Sequence, residues 1–282
     1  QAFSVSGQEA VSTDVAFNSD GTKMFVIGQT GQDVNEYTLS TGFDVSTASF
    51  VDSFSISSQE LYPSSVDFNS DGTKMFVLGD SVNEYTLSTG FDVSTSTFVD
   101  SFSVIAQDTV PNGLAFSSDG TKMFIVGRTN PAVYQYTLST GFDVSTASYD
   151  SVSFSVSSQD VSPNGMEFNS DGTKMFVIGA TGDTINEYIL STGFDVSTAS
   201  FVDNISVSSQ EANPTGLAFN TNGTKMFVIG YSSDSVNEYS VGTTSYTNLM
   251  DKAQLEAVTD PNHYTLGTTL DLMIAPYMAT AT

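Results

Sequence analysis

Apolar positions along this chain follow two alternating patterns. Short unbroken runs such as Met24-Phe25-Val26-Ile27 take turns with strictly alternating segments such as Ser53-Phe54-Ser55-Ile56-Ser57. An unbroken run of four or five bounded by turn residues reads as a strand covered on both faces. Alternation reads as a strand with one face in water. Between them lie a short apolar stretch ending in a turn, as in Gly113-Leu114-Ala115-Phe116, and a more polar strand, Val34-Asn35-Glu36-Tyr37-Thr38-Leu39. The turn Ser19-Asp20-Gly21-Thr22 joins the first two strands of such a unit. Asp closes turns with its own side chain and Gly supplies positive φ, so this is a hairpin turn.

The unit recurs. Copies of the turn fall at Asp20, Asp71, Asp119, Asp171 and Asn222, 48 to 52 residues apart. Four short strands in a period near 50 are the pattern of a propeller blade. The first three strand types occur five times. The alternating fourth type follows only the first four blades, around Phe54, Phe102, Phe154 and Ile205, but the chain opens on Ala2-Phe3-Ser4-Val5-Ser6, a fourth strand without a blade. Giving it to the last blade closes the ring and removes an exposed edge. The fold expected is all-β: a five-bladed β-propeller over 1–242, closed by its N-terminal strand, with a short extension over 243–282.

The segment Pro111-Asn112-Gly113-Leu114-Ala115-Phe116-Ser117-Ser118-Asp119-Gly120-Thr121-Lys122-Met123-Phe124-Ile125-Val126 resembles the inner hairpin of bacterial propellers of the YVTN and lactonase-like type. The whole unit, with its linker Ser40-Thr41-Gly42-Phe43-Asp44-Val45-Ser46-Thr47, is similar to repeat proteins of marine bacteriophages and marine bacteria. The resemblance spans about residues 1–242 and implies the propeller fold. Propellers host many activities, so it says little of function.

Charge narrows the function classes. With 32 acidic residues against 7 basic ones the net charge is −25, which repels nucleic acid and anionic membranes and suits saline surroundings. No apolar run approaches the roughly 18 residues of a membrane span. Cysteine is absent, and His263 is the one histidine, which leaves no zinc set and no Ser-His-Asp motif. The chain begins at Gln1 rather than Met, which points to a segment removed before it.

Propeller geometry puts the Ser-Asp-Gly-Thr turns and the constant linkers on one face. The loops that vary from blade to blade, such as Gln29–Gln32 and Arg128–Pro131, lie on the other. Variable loops are the expected binding face. Each blade-to-blade loop on that face carries an acid after glutamine: Glu9, Glu60, Asp108, Asp160 and Glu211. They read either as a ring able to attract Ca²⁺ or hydrogen-bond a sugar, or as acids that each cap their own turn. The only arginine, Arg128, together with Tyr134 and Tyr231, is a candidate contact for a sugar or protein. The lysines that follow each turn, Lys23, Lys74, Lys122, Lys174 and Lys225, read as partners in partly exposed ion pairs worth about 0–1 kcal/mol each. On the innermost strands one position reads Ala16, Asp67, Ala115, Glu167 and Ala218. Asp67 and Glu167 are an enzyme-like pair near the axis, or else make a structural contact inside the ring.

After Thr243 the repeat stops. A helix is expected over 247–258 and a richly apolar stretch over 268–278, and residues 243–282 are expected to attach the propeller to a larger protein assembly. The function expected is a non-enzymatic module outside the cell or on a virion, binding a host glycan or protein, with no resident cofactor. The alternative is a glycosidase or lactonase-like hydrolase using Asp67 and Glu167.

Overall fold

A computed structural model describes residues 1–241, and all five sheets of the propeller lie within them. The first blade comprises β2 (Ser12–Phe17), β3 (Lys23–Gly28), β4 (Asp33–Leu39) and β5 (Ala48–Ser55). The next three run from β6 (Ser65–Phe68) to β9 (Ser96–Ser103), from β10 (Pro111–Phe116) to β13 (Ala147–Ser155), and from β14 (Pro163–Phe168) to β17 (Ala199–Ser206). The fifth holds β18 (Pro214–Phe219), β19 (Lys225–Gly230), β20 (Ser235–Ser240) and the N-terminal strand β1 (Ala2–Ser4). Ala2, Phe3 and Ser4 pair with Asn237, Val236 and Ser235, so the ring closes on the strand expected. The inner strands β2, β6, β10, β14 and β18 each touch the next around the axis.

The unbroken apolar runs are explained by what lies on either side. Met24 and Val26 pack against the fifth blade, Phe25 and Ile27 against the second. Each hydrophobic core thus sits between two blades. The outer strands begin earlier than the alternating pattern marks: β5 takes in Ala48–Val51, with a bulge opposite Glu36 and Tyr37. The third strands are also buried, polar residues included: Asn35 and Glu36 are enclosed. The lysines form the partly exposed ion pairs expected, and Lys23 also reaches beyond its own blade. Lys23 meets the enclosed Glu36 at 2.6 Å and also donates to the carbonyl oxygen of Phe91 in the next blade, at 2.6 Å. It ties two blades together.

That tie belongs to a device repeated around the ring. In the linker after each third strand, Phe43, Phe91, Phe142 and Phe194 adopt φ of +57 to +58°, costly for an L-residue by about 1–2 kcal/mol. Each ring lies over the turn glycine, where a Cβ on Gly21, Gly72, Gly120 or Gly172 would strike it. Each also packs on two further phenylalanines. Phe91 meets Phe25 at 6.1 Å and Phe68 at 5.6 Å, and Phe25 meets Phe68 at 4.4 Å. Aromatic packing of this kind offsets the backbone strain.

Candidate functional site

The axis holds a cavity of about 760 Å³. Its wall is made by the inner strands and, between the fourth and fifth blades, by Lys174, Phe176 and Glu187, and its rim by the first residues of the inner hairpin turns, among them Asn18, Asn169 and Asn220. It opens on the face of repeated turns; no residue of the variable loops lines it. The variable loops, the expected binding face, lie on the opposite side. Variation among loops reports freedom from the fold's constraints, whereas the cavity follows the taper of the ring.

Asp67 and Glu167, the pair singled out on the inner strands, both line this cavity, and Asp14 joins them. Asp14 occupies a level where the third, fourth and fifth blades carry Gly113, Gly165 and Gly216. There the backbones press together: a Cβ on Gly113 would lie 2.9 Å from the Cα of Gly165, and one on Gly216 would lie 2.5 Å from an Asp14 carboxylate oxygen. The second blade has Ser65 at this level, and its hydroxyl donates to Asp14 Oδ2 at 2.5 Å. The amides of Val66 and Val15 donate to the same carboxyl at 3.1 and 2.8 Å. Asp67 lies one step toward the mouth and accepts from the Phe68 amide at 2.7 Å.

Enclosure governs the ionisation of all three. Burial lifts Asp14 from the ordinary aspartate value of 3.8 to about 7, against its hydrogen bonds and with a smaller push from the charge of Asp67. Burial likewise brings Asp67 to about 7. Glu167 is raised well above its ordinary value, first by burial and then by the charges of Asp67 and Asp14. No side-chain hydrogen bond to Glu167 is found among the described residues. The cluster thus sets a carboxyl raised well above its ordinary value beside two brought to about 7, the kind of environment in which general acid–base catalysis works. The sequence comparison missed Asp14. Its signal was a departure from three glycines at the equivalent position.

The five acids of the blade-to-blade loops resolve to the turn-capping reading. Glu9 is fully enclosed, and its oxygens accept from the amides of Val11 at 2.7 Å, Thr30 at 3.0 Å and Gly31 at 2.9 Å. Asp108, Asp160 and Glu211 do the same in their blades, and Glu60 caps the amide of Tyr62 at 2.9 Å. These carboxylates are occupied by backbone donors of their own blades. They form no shared ring of oxygen ligands for Ca²⁺, and no group of three His, Cys, Asp or Glu side chains able to hold a metal ion occurs among the described residues. Arg128 and Tyr231 are both exposed on the variable face, and Tyr231 senses the charge of Arg128. They stand apart from the cavity. Residues 243–282, expected to attach the chain to an assembly, lie outside the described residues, and the 247–258 helix with them.

No known protein family matches the chain, and no curated protein is similar to it in sequence. Solved structures are. One is a luciferin-regenerating enzyme, similar at 12% identity with a TM-score of 0.54 over 86% of this chain and 96% of that one. Another is a protein from Lactobacillus plantarum, at 14% and 0.50 over 83% and 68%. A third is the periplasmic gluconolactonase of Pseudomonas aeruginosa, at 16% and 0.48 over 83% and 67%. The likeness is one of fold. The comparisons lend no support to a marine or bacteriophage origin. They do correct the expectation of a chain that is no enzyme. Its fold is shared with a named enzyme, and its axis encloses carboxyls held near neutrality instead of neutral packing. No helix among the described residues is long and apolar enough to cross a membrane.

Proposed function

We propose that the chain is a hydrolase of a sugar-derived bond, a lactone or a glycoside, working through Asp67 and Glu167 with Asp14 behind them. The observation that carries the reading is the set of three carboxyls in one axial cavity, two brought to about 7 and the third raised well above its ordinary value. The lactonase and luciferin-regenerating names of similar structures support it at the level of fold alone.

For a lactone the steps balance simply. The Asp67 carboxylate takes a proton from water as its oxygen attacks the acyl carbon. The Glu167 carboxylic acid gives a proton to the ring oxygen as the acyl C–O bond breaks. A hydroxy acid leaves, and solvent returns the proton from Asp67 to Glu167. The substrate is neutral. Among the described residues four acids and one cation, Lys174, line the cavity, and a chain of net charge −25 disfavours a phosphorylated ligand.

Assay of the full chain on gluconolactone and a panel of aryl glycosides tests this. Turnover should fall by about 10²-fold or more in Asp67→Asn and in Glu167→Gln, with circular dichroism unchanged. Absence of turnover across the panel, or retained turnover in both variants, overturns it.

A further inference from the structure

After the glycine that follows the second strand, four blades place four residues before the third strand begins, Gln29–Gln32 in the first blade. The second blade places only Asp80, between Gly79 and Ser81. The residues it lacks are those whose amides complete the turn-capping acid elsewhere. Glu9 accepts from Thr30 and Gly31, Asp108 from Thr129 and Asn130, Asp160 from Thr181 and Gly182, and Glu211 from Ser232 and Ser233, all at 2.9 to 3.4 Å. Glu60 has no such pair of donors. Among the described residues its carboxylate takes one hydrogen bond, from the Tyr62 amide to Oε1, and Oε2 takes none. The carboxylate nevertheless keeps its place. It lies against Gly79, where a Cβ would strike it, as its counterparts lie against Gly28, Gly127, Gly179 and Gly230.

The surroundings of Glu60 are unsatisfied in a second way. In the other blades the third-strand tyrosine donates to a loop glutamine: Tyr37 to Gln8, Tyr136 to Gln107, Tyr188 to Gln159 and Tyr239 to Gln210, at 3.0 to 3.4 Å. Tyr85 is fully enclosed, yet its hydroxyl has no partner among the described residues. Its ionisation is pushed up by burial and then by the charge of Glu60, so the two groups are neighbours. At the rim of this notch Leu61 is 52% exposed and Tyr62 72% exposed, which leaves a flat ring free beside a half-vacant carboxylate. Asp80 adds a second exposed carboxylate. Neither acid meets a cation among the described residues, where each lysine pairs within its own blade.

We infer that this notch binds the side chain of an arginine carried by another protein. A guanidinium presents two parallel N–H groups to a carboxylate, which restores to Glu60 the pair of donors that the short loop removed. Its planar face stacks on the Tyr62 ring. A chain of net charge −25 attracts such a partner and repels a second copy of itself. The arginine comes from outside, because the chain's one arginine is Arg128, whose charge falls on Tyr231. The notch lies on the variable face, away from the mouth of the axial cavity, so the inference is independent of hydrolysis there.

The probe is acetyl-arginine-amide, titrated into the full chain while the backbone amides of Tyr62 and Gly79 are followed by NMR. Both resonances should shift and saturate. Acetyl-citrulline-amide, of similar shape without the charge, should bind at least about tenfold more weakly. Glu60→Gln keeps an oxygen for the Tyr62 amide and should weaken arginine binding by about tenfold. Tyr62→Ala, at an exposed position, should weaken it by about threefold. Inserting a copy of Gln29-Thr30-Gly31 between Gly79 and Asp80 supplies the missing amides and should abolish binding. Absence of a saturating shift overturns the proposal, as does equal binding of the arginine and citrulline probes. Unchanged binding in both Glu60→Gln and Tyr62→Ala overturns it too. A methyl glucoside that binds the notch more tightly than the arginine probe would make it a sugar site instead.

Discussion

The ammonium of Lys225 in the last blade donates to the carbonyl oxygen of Phe43 in the first, at 2.5 Å. The same lysine pairs with Glu238 at 2.8 Å, and Glu238 Oε2 accepts from the amide of Val45 at 3.2 Å. The ring is therefore closed twice, once at its outer rim by the β1–β20 pairing and once near the inner turns by this tie. The first joins Ala2 to Asn237, and the second joins residues 182 apart in sequence.

Loss of one aromatic plug should be costly. Phe91 is half-buried and touches Phe25, Phe68 and Gly72. Phe91→Ala is expected to lower stability by about 2–3 kcal/mol, below the range for a fully buried phenylalanine because part of the ring is exposed. Phe91→Leu should lose less. Urea denaturation of both variants against the parent checks this, and an effect below about 0.5 kcal/mol for the alanine variant would remove the plug from the account.

Removing the first four residues should open the ring. β20 would present an unpaired edge, and Tyr37 would lose the edge-on contact of Phe3 at 5.6 Å. Unpaired edges invite association. The expected result is a lower melting temperature together with larger species on size-exclusion chromatography. A shortened chain that stays monomeric with unchanged melting would show that the tie through Lys225 is enough.

Stability should depend on pH through the axis. Asp14 and Asp67 hold their protons to about 7 when folded, against 3.8 ordinarily. Between those values the folded chain binds protons that the unfolded chain has released. Their contribution is complete below about 4, falls as pH rises, and is lost above about 7. One unit corresponds to about 1.4 kcal/mol, so each group contributes a few kcal/mol at most. The acids of the inner turns work the other way. Asp20, for example, is held below its ordinary value by its hydrogen bonds from Thr22 and loses its contribution in stronger acid. Melting temperature is therefore expected to peak in mildly acidic buffer, fall toward about pH 7 and level off above it. Asp67→Asn should flatten that fall; the same slope in parent and variant would assign it to net charge instead.

Glu211 tests the turn-capping acids. Its oxygens accept from the amides of Asn213, Ser232 and Ser233 and from the Ser233 hydroxyl, all within 3.1 Å. Glu211→Ala leaves enclosed donors without an acceptor and should cost about 2–4 kcal/mol. Adding Ca²⁺ should change the melting temperature of neither parent nor variant. A calcium-dependent rise in the parent alone would restore the ligand-ring reading.

Strand order, blade number and closure by residues 2–6 were legible because they rest on local chemistry. Turn residues, runs and alternation are read within a few positions, and a repeat of about 50 residues multiplies the signal. The loop acids show where that reading stops. Glu9 and Glu211 recur at a surface-facing position of the pattern, yet both are enclosed, because the loop after the second strand folds its amides over them. The repeat itself also marked Asp67 and Glu167 as departures. Asp14 departs from the glycines of three other blades in the same way, but its role depends on Ser65, 51 residues on.

What the amino-acid order determined is the blade: its four strands, its Asp-Gly turn, its linker and the number of times it recurs. What only the tertiary structure decided is which carboxyls meet at the axis and which face the cavity opens on. The physical reason is one of range. Strand and turn preferences act between neighbours. Desolvation and charge at the axis arise only when a closed ring brings residues from five separate repeats to one place.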